Sequence, residues 1–186
     1  HRELPVWGRE ELAAKLEDTI TGLIDRGIRF YGAGGARGWD TLAAQTVLRL
    51  KGRYPHIKLI LVFPCRTQTR GWPAADVQEY ERIKALADKV VYTSQAYTRG
   101  CMHKRNRHLV DNSSVCVCYL NKENGGTAYT VDYAGKKGLE IINLVKSCSP
   151  FSAAKWQRQK CRQSRGQSGV LDRSGLGLSQ KNDRKP

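Results

Sequence analysis

The sequence predicts an α/β fold in which helices cover both faces of a doubly wound, mostly parallel sheet. Two observations lead to this prediction. Segments with a helical apolar period alternate with short apolar runs over residues 1–146, as in doubly wound folds. The run at residues 58–63 is almost continuously apolar, which is typical of a strand buried on both faces of a parallel sheet.

The predicted elements follow one another in regular order. The first helix spans residues 9–26, because apolar side chains recur there at helical spacing and Gly27 supplies a C-terminal stop. A glycine-rich turn at residues 32–41 leads into the second helix. Further strands are predicted at residues 28–31, 58–63, 89–93, 115–120 and 140–145, and further helices at residues 74–87, 102–111 and 127–137.

The end of the chain differs in composition from the rest. Of the net charge of +15, residues 147–186 carry +7, from nine Lys and Arg against two Asp and Glu, and no apolar period survives there. We expect a folded domain over residues 1–146 and a largely disordered basic tail over residues 147–186. The tail fits either a solvated segment without a specific function or an arm that binds nucleic acid.

The six cysteines favour a reducing compartment. They form no Cys-x-x-Cys pair and no cluster with histidine at zinc-finger spacing, so we expect free thiols rather than a metal site. Cys116 and Cys118 alternate along an apolar run, and both side chains therefore point to one face of a strand. The sequence contains no signal peptide and no membrane-spanning apolar run, and we expect a cytoplasmic protein without a membrane partner.

The glycine-rich turn is the first candidate binding element. Glycines between a strand and a helix let the backbone turn sharply and expose its N–H groups, and the helix N-terminus adds partial positive charge. Arg37 supplies a planar, permanently charged donor for phosphate or carboxylate. The alternative is a plain strand-to-helix turn in which Asp40 or Thr41 is the N-cap. The residues of this turn expected at the site are Gly32, Gly34, Gly35, Arg37, Gly38, Asp40 and Thr41.

A second turn repeats the same pattern further along the chain. Gly125, Gly126 and Thr127 follow the predicted strand at residues 115–120 and open the next helix. Loops after different strands converge at the carboxyl edge of an open α/β sheet, so this turn is expected near the first one. The alternative is an ordinary helix entry with Thr127 as the N-cap.

The predicted helix at residues 102–111 carries the third candidate element. On a helix, Arg105 lies beside Met102 and Leu109, on the side that packs against the protein. An arginine that leans towards the core usually has an anionic partner. We therefore expect Arg105 to meet an anion, whereas the neighbouring cations are expected to be solvated.

These motifs, in this order, resemble the SLOG superfamily, the SMF/DprA–LOG group of Rossmann-like domains, and most closely its YpsA-like branch. The resemblance covers residues 1 to about 146 and is carried by four segments, at residues 34–44, 61–65, 101–107 and 125–130. It implies a Rossmann-like domain that holds a nucleotide-derived ligand between the glycine turns, and it suggests a homodimer. No settled activity follows from it.

One group of better-defined relatives consists of the LOG enzymes, which cleave the N-glycosidic bond of nucleoside monophosphates. They share a Met-His-x-Arg run, matched here by Met102, His103 and Arg105. Their acidic residue three positions after the helix-start threonine corresponds to Thr130, which cannot act as an acid or a base. Asp132, two residues further on, would face another direction on a helix. Whether the protein is an enzyme stays open, and this hydrolysis is a further alternative.

A second relative is DNA-processing protein A, which binds single-stranded DNA. It shares an Ala-Arg-Gly-x-Asp turn, matched by residues 36–40, and an Arg-Asn-Arg run, matched by residues 105–107. Single-stranded DNA is accordingly the alternative partner, held in a basic groove with aromatic side chains for stacking.

The start of the chain departs from the family pattern. Family members begin with a short apolar strand that ends in Gly-His-Arg, whereas this chain begins at His1 and Arg2. In a doubly wound sheet the first strand is central. We expect the described sheet to lack that strand and the chain to be truncated at its start.

The leading hypothesis is a sensor that binds a nucleotide or a nucleotide-derived small molecule, with no cofactor beyond this ligand and no assigned catalytic residue. Its phosphate is expected to lie against Arg37 and Arg105, where the glycines allow the backbone to approach. The rest of the predicted site comprises Asn106, Gly125, Gly126, Thr127 and Thr130.

Overall fold

The computed structural model describes residues 8–145, in which helices and strands alternate as predicted. The helices are α1 (Arg9–Asp25), α2 (Trp39–Leu50), α3 (Ala74–Leu86), α4 (Cys101–Asp111) and α5 (Gly126–Lys136). The strands are β1 (Phe30–Ala33), β2 (Lys58–Phe63), β3 (Lys89–Tyr92), β4 (Val115–Cys118) and β5 (Glu140–Asn143). The predicted tail, residues 147–186, lies outside the described residues.

Where bounds were predicted, the observed ones differ from them by two residues or fewer, and α2 begins at Trp39, inside the predicted turn. Differences of two residues occur at β4 and β5, which end earlier than predicted, and at β1, which begins and ends later and includes Gly32 and Ala33. At β1 the reason is pairing, because Gly32 lies opposite Ile60 and Ala33 opposite Leu61 of β2. The first glycine of the turn therefore belongs to a strand, and the chain leaves the sheet at Gly34.

The strands form two parallel sheets that are not hydrogen-bonded to each other. One sheet has the order β1-β2-β3 and the other consists of β4 and β5, and every pairing is parallel. Both β1 and β4 have an edge without a strand partner among residues 8–145. The structure confirms the α/β Rossmann-like class, in which parallel strands are joined by helical crossovers.

A cavity of about 720 Å³ separates the two sheets. Its walls include the whole of β1 and β4, together with Leu16, Ile20 and Leu23 from α1. A sheet order of β3-β2-β1 beside β4-β5 leaves room for one more parallel strand between the two free edges. This arrangement agrees with the expectation that the described sheet lacks its central first strand.

The hydrophobic core lies mainly around the three-stranded sheet. The five apolar side chains of α1 that recur at helical spacing are all buried, and four of them pack with α2, β2 and α3: Leu12, Leu16, Ile20 and Ile24. The largest fully buried side chain is Phe63, at the end of β2. No helix in the described part of the chain combines the length and apolar character needed to cross a membrane.

Asp88 fixes the junction between α3 and β3 against β2. Its carboxylate accepts hydrogen bonds from Lys51 Nζ at 2.7 Å and from the backbone N–H of Leu59 at 2.8 Å, and Lys58 Nζ lies 3.2 Å away. Burial alone would raise the pKa of Asp88, but these donors outweigh it and lower the pKa to about 2.

Candidate functional site

The predicted binding elements meet at one end of the cavity, beyond the carboxyl ends of the parallel strands. This is the edge at which open α/β sheets bind ligands. Most of the predicted site residues line it: Gly32, Gly34, Arg37, Asp40, Arg105, Asn106, Gly126, Thr127 and Thr130. Four other predicted residues belong to the two turns but do not line the cavity: Gly35, Gly38, Thr41 and Gly125. The three motifs, which lie far apart in the sequence, therefore share one wall.

Arg105 and Asp40 form the centre of this wall. Arg105 is 7% exposed, and its Nη1 atom lies 3.2 Å from Asp40 Oδ2. The same carboxylate oxygen accepts a hydrogen bond from the backbone N–H of Ala36 at 3.1 Å. The anionic partner expected for Arg105 is thus a carboxylate of the protein itself, in the first turn of α2.

Two glycines of the first turn are required by close contacts. A Cβ atom at Gly34 would overlap the guanidinium of Arg105, so only glycine lets Arg105 lie against the turn. Gly35 has φ +67°, and a Cβ atom there would overlap the ring of Phe63. Gly35 is therefore a packing position and Gly34 a site position.

The start of α2 differs from the plain helix entry considered as an alternative. Its N-cap is Gly38, and neither Asp40 nor Thr41 caps it. The Thr41 hydroxyl instead donates to the carbonyl of Ala36 at 3.1 Å. The proposed N-caps at this turn are wrong because both side chains hold the preceding loop in place.

Gln68 is a site residue that the sequence did not reveal. Its Nε2 atom donates to the carbonyl of Gly35 at 2.9 Å and lies 3.4 Å from that of Gly34. The side chain is 7% exposed and lines the cavity. A single glutamine in a polar loop carries no distinctive pattern, and only its burial identifies it.

Arg37 lies at the rim of the cavity rather than at its centre. Its Nη1 atom is 3.0 Å from Asp76 Oδ2, and its guanidinium lies 5.6 Å from the ring centroid of Trp72. One third of its side chain remains exposed. Arg37 can turn part of its donor fork towards a ligand while Asp76 holds the remainder.

The start of α5 offers unpaired backbone donors. Its N-cap is Gly125, and no side chain of the described residues caps it, so Thr127 is not the N-cap considered above. The first intrahelical bond runs from Tyr129 N to Gly125 O, which leaves three earlier N–H groups without an acceptor among residues 8–145. An added Cβ at Gly126 would meet no atom of residues 8–145 within 4 Å.

Thr130 and Asn106 connect α5 to α4. Asn106 Nδ2 donates to Thr130 Oγ1 at 2.8 Å, and the threonine hydroxyl donates to the carbonyl of Gly126 at 2.7 Å. Thr130 therefore positions the turn of α5. Asp132 does not line the cavity, and it pairs with Lys136 at 2.6 Å.

Two buried polar atoms of the cavity wall have no hydrogen-bond partner within the described residues. They are Arg105 Nε and Gln68 Oε1. A buried donor or acceptor without a partner destabilises the fold, so native structures rarely keep one without water or a ligand. A donor and an acceptor in one wall favour a polar ligand over an apolar one.

The rest of the cavity wall gives no sign of metal chemistry. Residues 8–145 contain no group of three His, Cys, Asp or Glu side chains close enough to hold an ion. Cys116 and Cys118 both line the cavity as free thiols. A hydrogen bond with Cys116, together with burial, raises the pKa of Cys118, so this thiol stays protonated.

The fold and the site define a class of protein: a Rossmann-like α/β domain with a cavity between its two sheets, whose polar end lies at the starts of α2 and α5. The chain belongs to the YspA SLOG family, whose family model matches residues 9–142. This match confirms the resemblance seen in the four sequence segments.

Three bacterial proteins are among the relatives of this chain. The chain is 29% identical over 140 residues to the uncharacterized SPbeta prophage-derived protein YoqJ of Bacillus subtilis, covering 69% of this chain and 80% of that protein. A UPF0398 protein of Halalkalibacterium halodurans is 30% identical over 124 residues, covering 65% of this chain and 66% of that protein. A UPF0398 protein of Bacillus thuringiensis is 29% identical over 139 residues, covering 73% and 75% respectively.

Proposed function

We propose that this protein binds a nucleotide or a nucleotide-derived molecule at the polar end of the cavity and acts as a sensor. The observation that carries the proposal is the group of unpaired N–H donors at the start of α5, in the same cavity as the buried Arg105. A helix N-terminus attracts phosphate through these donors and through its partial positive charge.

The chemistry of the two turns fits a phosphate-bearing ligand. Gly125 and Gly126 leave the start of α5 open, so phosphate oxygens can approach the backbone closely. Arg105 and Arg37 provide positive charge nearby, although each shares it with a carboxylate. We favour a sensor over a hydrolase, because Thr130 stands where the LOG enzymes have their acidic residue and cannot act as an acid or a base.

Calorimetry with AMP and adenosine tests the proposal. AMP is expected to bind at least about tenfold more tightly, because only AMP can use the helix N-terminus. Gly126→Val, which adds a branched side chain over the free donors, is expected to remove this difference. Gly22→Val in α1 is the matched control, since Gly22 also has open space around it among the described residues and lies away from the cavity. Equal affinities of the unaltered protein for AMP and adenosine would refute the proposal.

A second candidate function, binding of single-stranded nucleic acid, is favoured by one charge pattern. No acidic residue occurs between Asp88 and Asp111, a stretch that includes the loop before α4 and most of α4 itself. Several cations at this edge of the sheet make no ion pair with a carboxylate of residues 8–145: Arg66, Arg70, Arg99, Lys104 and Arg107. Tyr97 is 67% exposed in the same loop and offers a ring for base stacking.

Salt dependence separates the two candidates. Binding of a fluorescent oligothymidine to several cations would weaken steeply as salt rises, whereas AMP binding would show a shallow slope. The measurement is repeated after removal of residues 147–186, which hold nine further Lys and Arg. Oligonucleotide binding that persists without them and falls in Lys104→Gln with Arg107→Gln would support the surface of α4. Loss of all oligonucleotide binding with the tail would refute it.

A further inference from the structure

We infer that Asp40 is the residue that recognises the sugar of the bound nucleotide, by accepting a hydrogen bond from a ribose hydroxyl. The inference rests on the proposed function and deepens it, since it names the part of the ligand that meets the first turn. Two donors at the first turn, the N–H of Ala36 and the guanidinium of Arg105, already contact Asp40 Oδ2, whereas Asp40 Oδ1 remains available as an acceptor.

The anion position of the first turn is filled by the protein itself. Asp40 Oδ2 accepts from the N–H of Ala36 at 3.1 Å and lies 3.2 Å from Arg105 Nη1. A backbone N–H of a glycine turn and a guanidinium are the two donors that a phosphate would use there. A second anion at this point would lie beside a carboxylate, and the like charges would repel each other.

The phosphate is therefore expected at the other helix. At the start of α5 the backbone N–H groups have no acceptor among the described residues, and no carboxylate lines that part of the wall. The sugar is the group joined directly to the phosphate of a nucleotide. It is consequently the next part of the ligand to reach the wall formed by the first turn.

Asp40 presents the acceptor that such a sugar needs. No hydrogen bond engages its Oδ1 atom within residues 8–145, and a quarter of its side chain is exposed. An ionised carboxylate only accepts hydrogen bonds, so its partner must be a donor such as a hydroxyl. Phosphate oxygens, which carry no donor when ionised, do not satisfy it.

The carboxylate is held in a fixed position, which is what selective recognition requires. Arg105, 8% exposed at its side chain, lies against Gly34, and Gln68 ties down the carbonyls of the same turn. Both Arg105 Nε and Gln68 Oε1 lack a partner although they are buried. These two atoms are an independent indication that a further polar group completes this wall.

The test compares AMP with 2′,3′-dideoxy-AMP on the unaltered protein by calorimetry. The two molecules share phosphate and base and differ only in the hydroxyls. AMP is expected to bind about tenfold more tightly, because a site built to hold a hydroxyl discriminates against the analogue that lacks it. Equal, measurable affinities would overturn the role of Asp40 and leave the proposed function standing. Absence of binding by both molecules, together with adenosine, would overturn both.

Asp40→Asn provides the second comparison. The amide oxygen can still accept from Arg105 and Ala36, but the group that replaces Oδ1 is then a donor. The preference for AMP over its dideoxy analogue is expected to fall to less than about threefold, and affinity for inorganic pyrophosphate is expected to rise. A cooperative thermal unfolding transition, even at a lowered melting temperature, shows that the variant is folded. A preference retained in this folded variant would overturn the inference.

Discussion

Adding one strand to the chain tests whether the gap between the two sheets can accept a further parallel strand. The perturbation is an apolar β-forming segment of about five residues fused before His1. A parallel strand between β1 and β4 would end at the edge of the sheet where α1 begins, because α1 ends close to the start of β1. A right-handed crossover then joins the new strand to β1.

The size of the effect follows from the burial available. Burying about five side chains at about 2 kcal/mol each gives about 10 kcal/mol. Ordering the same residues costs about 7 kcal/mol. Hydrogen bonds to both free edges add a little, leaving a net stabilisation of about 3 to 5 kcal/mol. For a chain of this length that raises the melting temperature by roughly 6 to 20 °C.

Thermal unfolding followed by circular dichroism measures the change. The control carries an extension of equal length made of Ser, Gly and Pro, which cannot pair with either edge. We expect the apolar extension alone to raise the melting temperature and to make Phe30, now 69% exposed at the edge of β1, less accessible. A melting temperature equal to that of the control would show that the gap does not accept a strand.

Three further predictions concern a packed glycine, a carboxylate with a low pKa and the buried ion pair. Gly35→Ala should destabilise the protein by about 2 to 4 kcal/mol in urea unfolding, because the new methyl group meets a buried aromatic ring at a positive φ. Gly22→Ala, its control in the open face of α1, should instead stabilise by up to about 1 kcal/mol. The low pKa of Asp88 stabilises the folded state above the ordinary pKa of 3.8. About 1 to 2 kcal/mol should therefore be lost as pH falls from 4 towards 2, a loss that Asp88→Asn should not show. Arg105→Gln and Asp40→Asn should have non-additive effects in a double-mutant cycle, with a coupling of about 1 to 3 kcal/mol, and an additive result would deny the ion pair a role in stability.

The helices and strands could be predicted because each has a recognisable apolar pattern within its own segment of the sequence. The apolar period of α1 and the continuous run of β2 place their buried faces without any knowledge of the rest of the chain. The meeting of the turns at residues 32–41 and 125–127 was also predictable, since parallel strands bring their carboxyl ends to one edge. These inferences need only spacing and topology.

The detailed contacts of the site could not be predicted in the same way. Asp40 and Arg105 are 65 positions apart, and Arg37 and Asp76 are 39 apart. The choice of carboxylate partner for each arginine depends on how the helices pack against one another. No local sequence pattern indicates that packing. Gln68 was missed for the same reason. The presence of an anionic partner for Arg105 could be foreseen, but its identity could not.

The pairing of Asp40 with Arg105 also determines how the molecule can loosen. Asp40 belongs to α2, which packs on the three-stranded sheet, whereas α4 packs mainly on α5, the helix that covers β4 and β5, and also contacts β2. No strand of residues 8–145 pairs across the gap between the two sheets. The part with the three-stranded sheet and the part with the two-stranded sheet are therefore held together by side-chain contacts, such as this ion pair and the stacking of Trp39 on Tyr119. A ligand that contacts the starts of both α2 and α5 would stabilise both parts together. Amide hydrogen exchange should then slow in both parts at once when the ligand binds.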